Sequence, residues 1–134
     1  MSKFANSLQK SIYEKLSSSS ELELIIGVGK IIDHHIINKE YPYISITNWR
    51  AIDWSTDSES GEDIQFDIDI WDDQASQKQL KDISSLVTSL LHDQVLDLDV
   101  GTLVNLRFEN VFFQNQGGTK LQSAKLRFRA KIEN

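Results

Sequence analysis

The chain has 134 residues, enough for one domain whose core hides roughly two-thirds of the unfolded surface. Hydrophobic residues make up 40% and charged residues 25%, which excludes a disordered or collagen-like chain, and the absence of cysteine excludes disulfides, thiol nucleophiles and Cys-ligated metals. The formal net charge of −6 speaks against a general nucleic-acid binder, and neither a signal-peptide h-region in residues 1–10 nor a membrane-length apolar run is visible, residues 24–28 being the longest apolar stretch. The average hides an asymmetry. Residues 1–100 carry 8 Lys/Arg against 18 Asp/Glu, residues 101–134 carry 6 against 2, and residues 51–73 hold 9 acids and no base. Such blocks are either solvated faces or opposite patches built to meet, within a chain or between chains.

Phe4, Leu8, Ile12 and Leu16 recur every fourth residue and predict an amphipathic helix, with Tyr13 widening its stripe. The serine run 17–20 ends it, because serine hydroxyls compete for backbone bonds, and residues 21–26 have room for one more turn before Gly27. Gly27-Val28-Gly29 lacks the third glycine and long helix of a dinucleotide fingerprint. Residues 31–34 read as a short strand, 38–41 as a turn, and Pro42 as an extended approach to a strand over 43–49, with Ile44 and Ile46 on one face and Ser45 and Thr47 on the other. Residues 49–62 are acidic and serine-rich and read as a long loop or loose hairpin. Ile64, Phe66, Ile68 and Ile70 then alternate with Gln65, Asp67 and Asp69, the pattern of a strand with one buried and one wet face.

Asp72 or Asp73 is expected to cap a second helix, with Ala75, Leu80, Ile83, Leu86, Val87, Leu90 and Leu91 as its apolar face and His92 in its last turn, where the helix end is negative. Residues 95–98 read as a short strand or extended link. A hairpin closes the chain: a strand over 103–113, a turn at Gln116-Gly117-Gly118-Thr119 and a partner over 120–132. The apolar parity shifts near Glu109-Asn110, which predicts a bulge. On the last strand Leu126, Phe128, Ala130 and Ile132 point inward and Lys125, Arg127, Arg129 and Lys131 outward. The expected fold is α+β, residues 1–134 forming a single domain: an antiparallel β-sheet of four to five strands with two α-helices packed on its one apolar face.

Few residues of the sequence are spaced for chemistry. His34 and His35 are adjacent and point to opposite faces of a strand, so a shared metal is disfavoured. Asp67 and Asp69 share a face about 7 Å apart, yet no histidine or nucleophile is linked to them, and a wet sheet face explains them without acid–base work. No Gly-x-Ser-x-Gly elbow, P-loop, His-Glu-x-x-His or EF-hand loop occurs. No catalytic, metal or cofactor-binding residue is assigned, and no cofactor is expected. Phe128 on the basic strand faces the core side by parity, so base stacking there is unsupported, and Trp49 and Trp54 flank the acidic loop, a poor place for phosphate and a usual one for core or interface packing.

The order of motifs carries a resemblance. Ile32-Asp33-His34, then Tyr41-Pro42-Tyr43-Ile44-Ser45-Ile46, Asp53-Trp54-Ser55-Thr56, Ile70-Trp71 and the helix after it, and finally residues 103–109 and 126–130, together resemble the tail terminator, or tail completion, protein family of tailed phages and gene transfer agents. The likeness runs over nearly the whole chain. It implies a non-enzymatic structural protein of a phage-like particle, made in the bacterial cytoplasm. Its subunits would form a ring, a hexamer, that caps the tail tube and joins it to the head connector. Its partners would be itself, the major tail tube protein and the head–tail connector or stopper protein. DNA would pass through the ring without specific binding, and no membrane is involved. The candidate subunit-interface or lumen residues are Asp67, Asp69, Arg127, Arg129, Lys131 and Trp54. The alternatives are another neck or stopper component, a small-molecule-binding α+β module and, lowest, a metal-dependent hydrolase using the aspartates.

Overall fold

A computed structural model describes residues 3–32 and 40–134. His34, His35 and the first half of the turn expected over 38–41 lie outside the described residues. The order of elements is α1 (Lys3–Ser17), α2 (Ser20–Ile26), β1 (Ile31–Ile32), β2 (Tyr43–Asp53), β3 (Gly61–Asp72), α3 (Lys78–Leu91), β4 (Thr102–Asn115) and β5 (Gln122–Glu133). The fold class is α+β as expected, with two corrections. There are three helices among the described residues, and the sheet is mixed.

The extra helix is α2. Ser19 caps it by accepting the Leu22 N–H on its hydroxyl at 3.3 Å, and Gly27, at φ 93°, ends it. The serine run that stops α1 therefore also starts α2. The α1 stripe of Phe4, Leu8, Ile12 and Leu16 is buried as its spacing predicts, but Tyr13 is exposed and does not widen it. Ser7 and Ser11 are buried because they work: Ser7 Oγ accepts the Val100 N–H at 3.0 Å and Ser11 Oγ donates to the Asp97 carbonyl at 2.9 Å. These bonds hold the link 92–101 against α1, and Leu96 is buried beneath it.

The sheet has the order β1-β2-β3-β5-β4. β1 is parallel to β2, with Ile31 opposite Ile44; the other pairs are antiparallel. β2 does not stop at Trp49. It runs on to Asp53, so the connection to β3 is only residues 54–60, closed by the Trp54 N–H to the Gly61 carbonyl at 2.9 Å. The cause is a bulge. The register slips between Thr47 and Arg50, and Asn48 sits at φ 57°, a conformation Asn tolerates. The slip returns Trp49 to the core side, where alternation alone would have placed residue 48. Trp49, Phe66, Phe128 and Phe108 then form a ladder across β2, β3, β5 and β4, with ring centroids 4.9, 5.6 and 5.7 Å apart. The bulge expected on β4 lies between Phe108 and Asn110, and a second lies between Leu103 and Asn105.

Two expectations for the segment before α3 fail. Asp72 ends β3 and Asp73 follows it; neither caps the helix, which starts at Lys78 after Gln77. Ala75 precedes the helix and is exposed. The Asp72 carboxylate is committed locally, accepting the Gln79 amide at 3.3 Å. Leu80, Ile83, Val87 and Leu91 are fully buried as expected, and Leu86 and Leu90 pack at the rim. His92 closes α3: its N–H reaches the Thr88 carbonyl at 2.8 Å, and its Nδ1 accepts the Phe108 N–H at 2.9 Å, tying the helix end to β4. Helix α1 lies over β1 and β2, and α3 over β3, β5 and β4, so one sheet face is covered and the other is open. No helix of the described residues is long and apolar enough to cross a membrane.

Candidate functional site

The open face of the sheet carries the charged residues singled out in the sequence. β3 and β5 are neighbours, so the acidic and basic stripes meet within one chain, Asp67 opposite Arg127 and Asp69 opposite Lys125. The Arg127 guanidinium donates to both Asp67 oxygens, Nε at 3.0 Å and Nη2 at 3.3 Å. Arg129 does the same to Asp63, at 2.7 and 2.6 Å, reaching diagonally across the ladder. Lys125 Nζ lies 3.1 Å from Asp69 and 4.0 Å from Asp67. From β2, Thr47 Oγ1 donates to Asp69 at 2.7 Å and Asn48 Nδ2 to Asp67 at 2.9 Å.

This network corrects the expectation of a wet face. Asp67 is 0% exposed, and Asp63 and Asp69 are also buried. The reason is position: β3 lies in the middle of the strand order, and the stems of the β5 side chains cover it. The bases stay half in water, the Arg127 and Arg129 side chains being 44% and 43% exposed. Their partners hold both guanidinium groups charged still more firmly than usual, chiefly through the hydrogen bonds to Asp67 and Asp63. In return the Arg129 bond holds the Asp63 carboxyl below the ordinary aspartate range.

Lys131 and Trp54 make a second contact on the same face. The Lys131 Nζ stands 5.2 Å from the Trp54 ring centroid, a cation–π geometry. Trp54 is held against Gly61, whose Cβ position would come within 2.9 Å of the Trp54 carbonyl oxygen. Beyond β5, a shallow cleft of about 220 Å³ is lined by Asn105, Arg107, Glu109, Arg129 and Lys131.

All six candidate residues thus gather on one face. Asp63, Lys125, Thr47 and Asn48 were missed as members. Asp63 and Lys125 share the parity of the residues chosen on their strands, so alternation contained them. Asn48 joins only because of the bulge, which alternation does not reveal. Chemically the face is a set of closed ion pairs. Both oxygens of each central carboxylate are engaged by cations or by donors from β2.

The profile of one family, described as tail completion protein gp17, matches residues 10–133. Among solved structures, a chain from one described as "Virion of native gene transfer agent (GTA) particle" is 24% identical, covers 98% of each chain and superposes with a TM-score of 0.89, which establishes a shared fold. No curated protein matches the sequence.

Proposed function

The chain belongs to the tail completion protein gp17 family, and from that premise we propose that it is a tail terminator, a structural subunit of a phage or gene-transfer-agent particle. Six copies form a ring that ends growth of the tail tube and joins it to the head connector. The observation that carries this reading is the family match, which spans every strand and α3. The fold shared with a chain of a gene transfer agent virion supports it. The protein acts by shape and contact, without turnover, and the buried carboxylates of its open face, Asp63, Asp67 and Asp69, are engaged by arginine and lysine.

The open sheet face is then a contact surface. The outer halves of Arg127 and Arg129, with Lys131 and Trp54, turn toward the next subunit or the lumen. Asp67 holds Arg127 in place, Asp63 holds Arg129, and Lys131 rests on the Trp54 ring. A face whose charges are matched within the chain neither binds DNA phosphate tightly nor repels it over a long range, which suits a passage for DNA.

The test is tail length. Particles made without this chain should carry overgrown tubes that fail to join heads, and adding the purified protein to growing tubes should fix their length. Tubes of unchanged length that still join heads in its absence would sink the reading.

A further inference from the structure

The longest apolar stretch of the sequence is not absorbed by the core. Within residues 24–28, Ile26 is buried, but Leu24 is 87% exposed and Val28 80%, with Ile25 also exposed. This corner joins α2 to β1, the strand at one edge of the sheet. Glu21 and Glu23 stand beside it without an ion pair among the described residues.

The opposite edge holds a matching depression. Between α3 and β4 lies a groove of about 490 Å³. Phe108, Val111 and Phe113 form its apolar floor, Ser85 and Ser89 its helical wall, and Lys81 its rim, with the Lys81 Nζ 5.5 Å from the Phe113 centroid. Lys81 has no carboxylate partner among the described residues. β4 is an edge strand, but its two bulges break the regular spacing of its outer backbone groups. It is therefore badly suited to accept an added strand and better suited to side-chain docking.

Resting on the ring reading above, we propose that the Leu24–Val28 corner of one copy docks into the α3–β4 groove of the next. Three observations select a second copy as the occupant. The corner leads into the edge opposite β4, so knob and groove do not overlap. Both surfaces are apolar, and the charges beside them are opposite, Glu21 and Glu23 next to the knob and Lys81 on the groove rim. Knob and groove are different surfaces, which makes the contact heterologous, the type that generates rings. The serine-lined wall leaves room for the knob, and the Glu21 and Glu23 charges set its orientation toward Lys81.

The chain has no cysteine, so the contact can be read directly. Leu24→Cys and Ser85→Cys are combined in the full chain, alone at high concentration and on tail-tube ends, and treated with a short bismaleimide. Both positions are exposed, so folding is not at risk. The expected result is a ladder of covalent oligomers in the double variant and none in either single variant. Leu24→Glu should weaken self-association at least tenfold by sedimentation, and Lys81→Glu should do the same. A Leu24→Cys dimer in the single variant overturns the inference, because it means a symmetric contact. Rings seen by microscopy that give no Leu24–Ser85 link also overturn it while leaving the ring reading intact. A chain that stays monomeric even on tube ends removes both.

Discussion

Phe66 and Phe128 stack at 5.6 Å with no part of either ring reaching solvent. Truncating either to alanine removes a central rung of the aromatic ladder and leaves a cavity that the rigid sheet cannot close. The expected cost is about 3–5 kcal/mol for each variant, read as a lower denaturation midpoint at unchanged slope. A cost near zero would remove that ring from the core. Asp63 and Asp72 share β3 but respond to pH in opposite directions. Arg129 holds the Asp63 carboxyl below its ordinary 3.8. The stabilisation from that pair is complete above 3.8 and is lost as pH falls through the lower folded value. Burial pushes the Asp72 carboxyl above 3.8, and its Oδ2 has no hydrogen-bond partner. Folding favours its protonated form, so its contribution declines as pH rises from 3.8 through the folded value, then levels. Urea melts from acid to neutral pH should therefore show Asp72→Asn gaining on the natural chain as pH rises. Asp63→Asn should lose most at neutral pH and least in acid. Parallel pH profiles for both variants and the natural chain would contradict these assignments.

At the level of elements, the β2 bulge does two jobs through one residue. Asn48 adopts φ 57° and its amide reaches Asp67 at 2.9 Å. Asn48→Ala should cost about 1–2 kcal/mol for the left-handed backbone and about 1–3 kcal/mol for the lost hydrogen bond to a buried carboxylate. Asn48→Gly should recover the first part and not the second. Equal losses for the two variants would mean that the backbone conformation carries no strain. The Asp67–Arg127 pair joins β3 to β5 at directly opposed positions. A double-mutant cycle with Asp67→Asn and Arg127→Gln should give a coupling of roughly 0.2–1 kcal/mol in the isolated chain, the scale of a cross-strand pair with one half-exposed partner. Coupling absent from the isolated chain and present only in assembled tails would place the working contact between subunits.

For the whole molecule, one helical layer covers one sheet face, so neither layer survives without the other. Phe4, Leu8, Ile12 and Leu16 of α1 are all buried. Each contributes about 1.5–3 kcal/mol, together comparable to the roughly 5–15 kcal/mol that holds a whole domain. A chain starting at Ser19 should lose cooperative unfolding and near-ultraviolet circular dichroism; a sharp transition in that fragment would show that α3 and the sheet fold alone. The amphipathic periods are properties of neighbouring residues, which is why α1, α3 and the buried faces of β3 and β5 could be read from the sequence. So could the β4 bulge, because it reverses an apolar parity that is written in the residues. The bulge at Asn48 was not legible, since it sits where the apolar pattern of β2 gives way to polar residues. The helix cap was misassigned because Asp72 satisfies the end of a strand, and only the site of the chain reversal shows which element a carboxylate serves. The candidate residues were legible as two charged stripes, and the sequence alone left open whether those stripes meet within a chain or between chains. Strand order decided it. Which strands become neighbours depends on how the helical connections cross the sheet, a long-range outcome of packing, and it set β5 beside β3 and buried the acids under their own chain's bases.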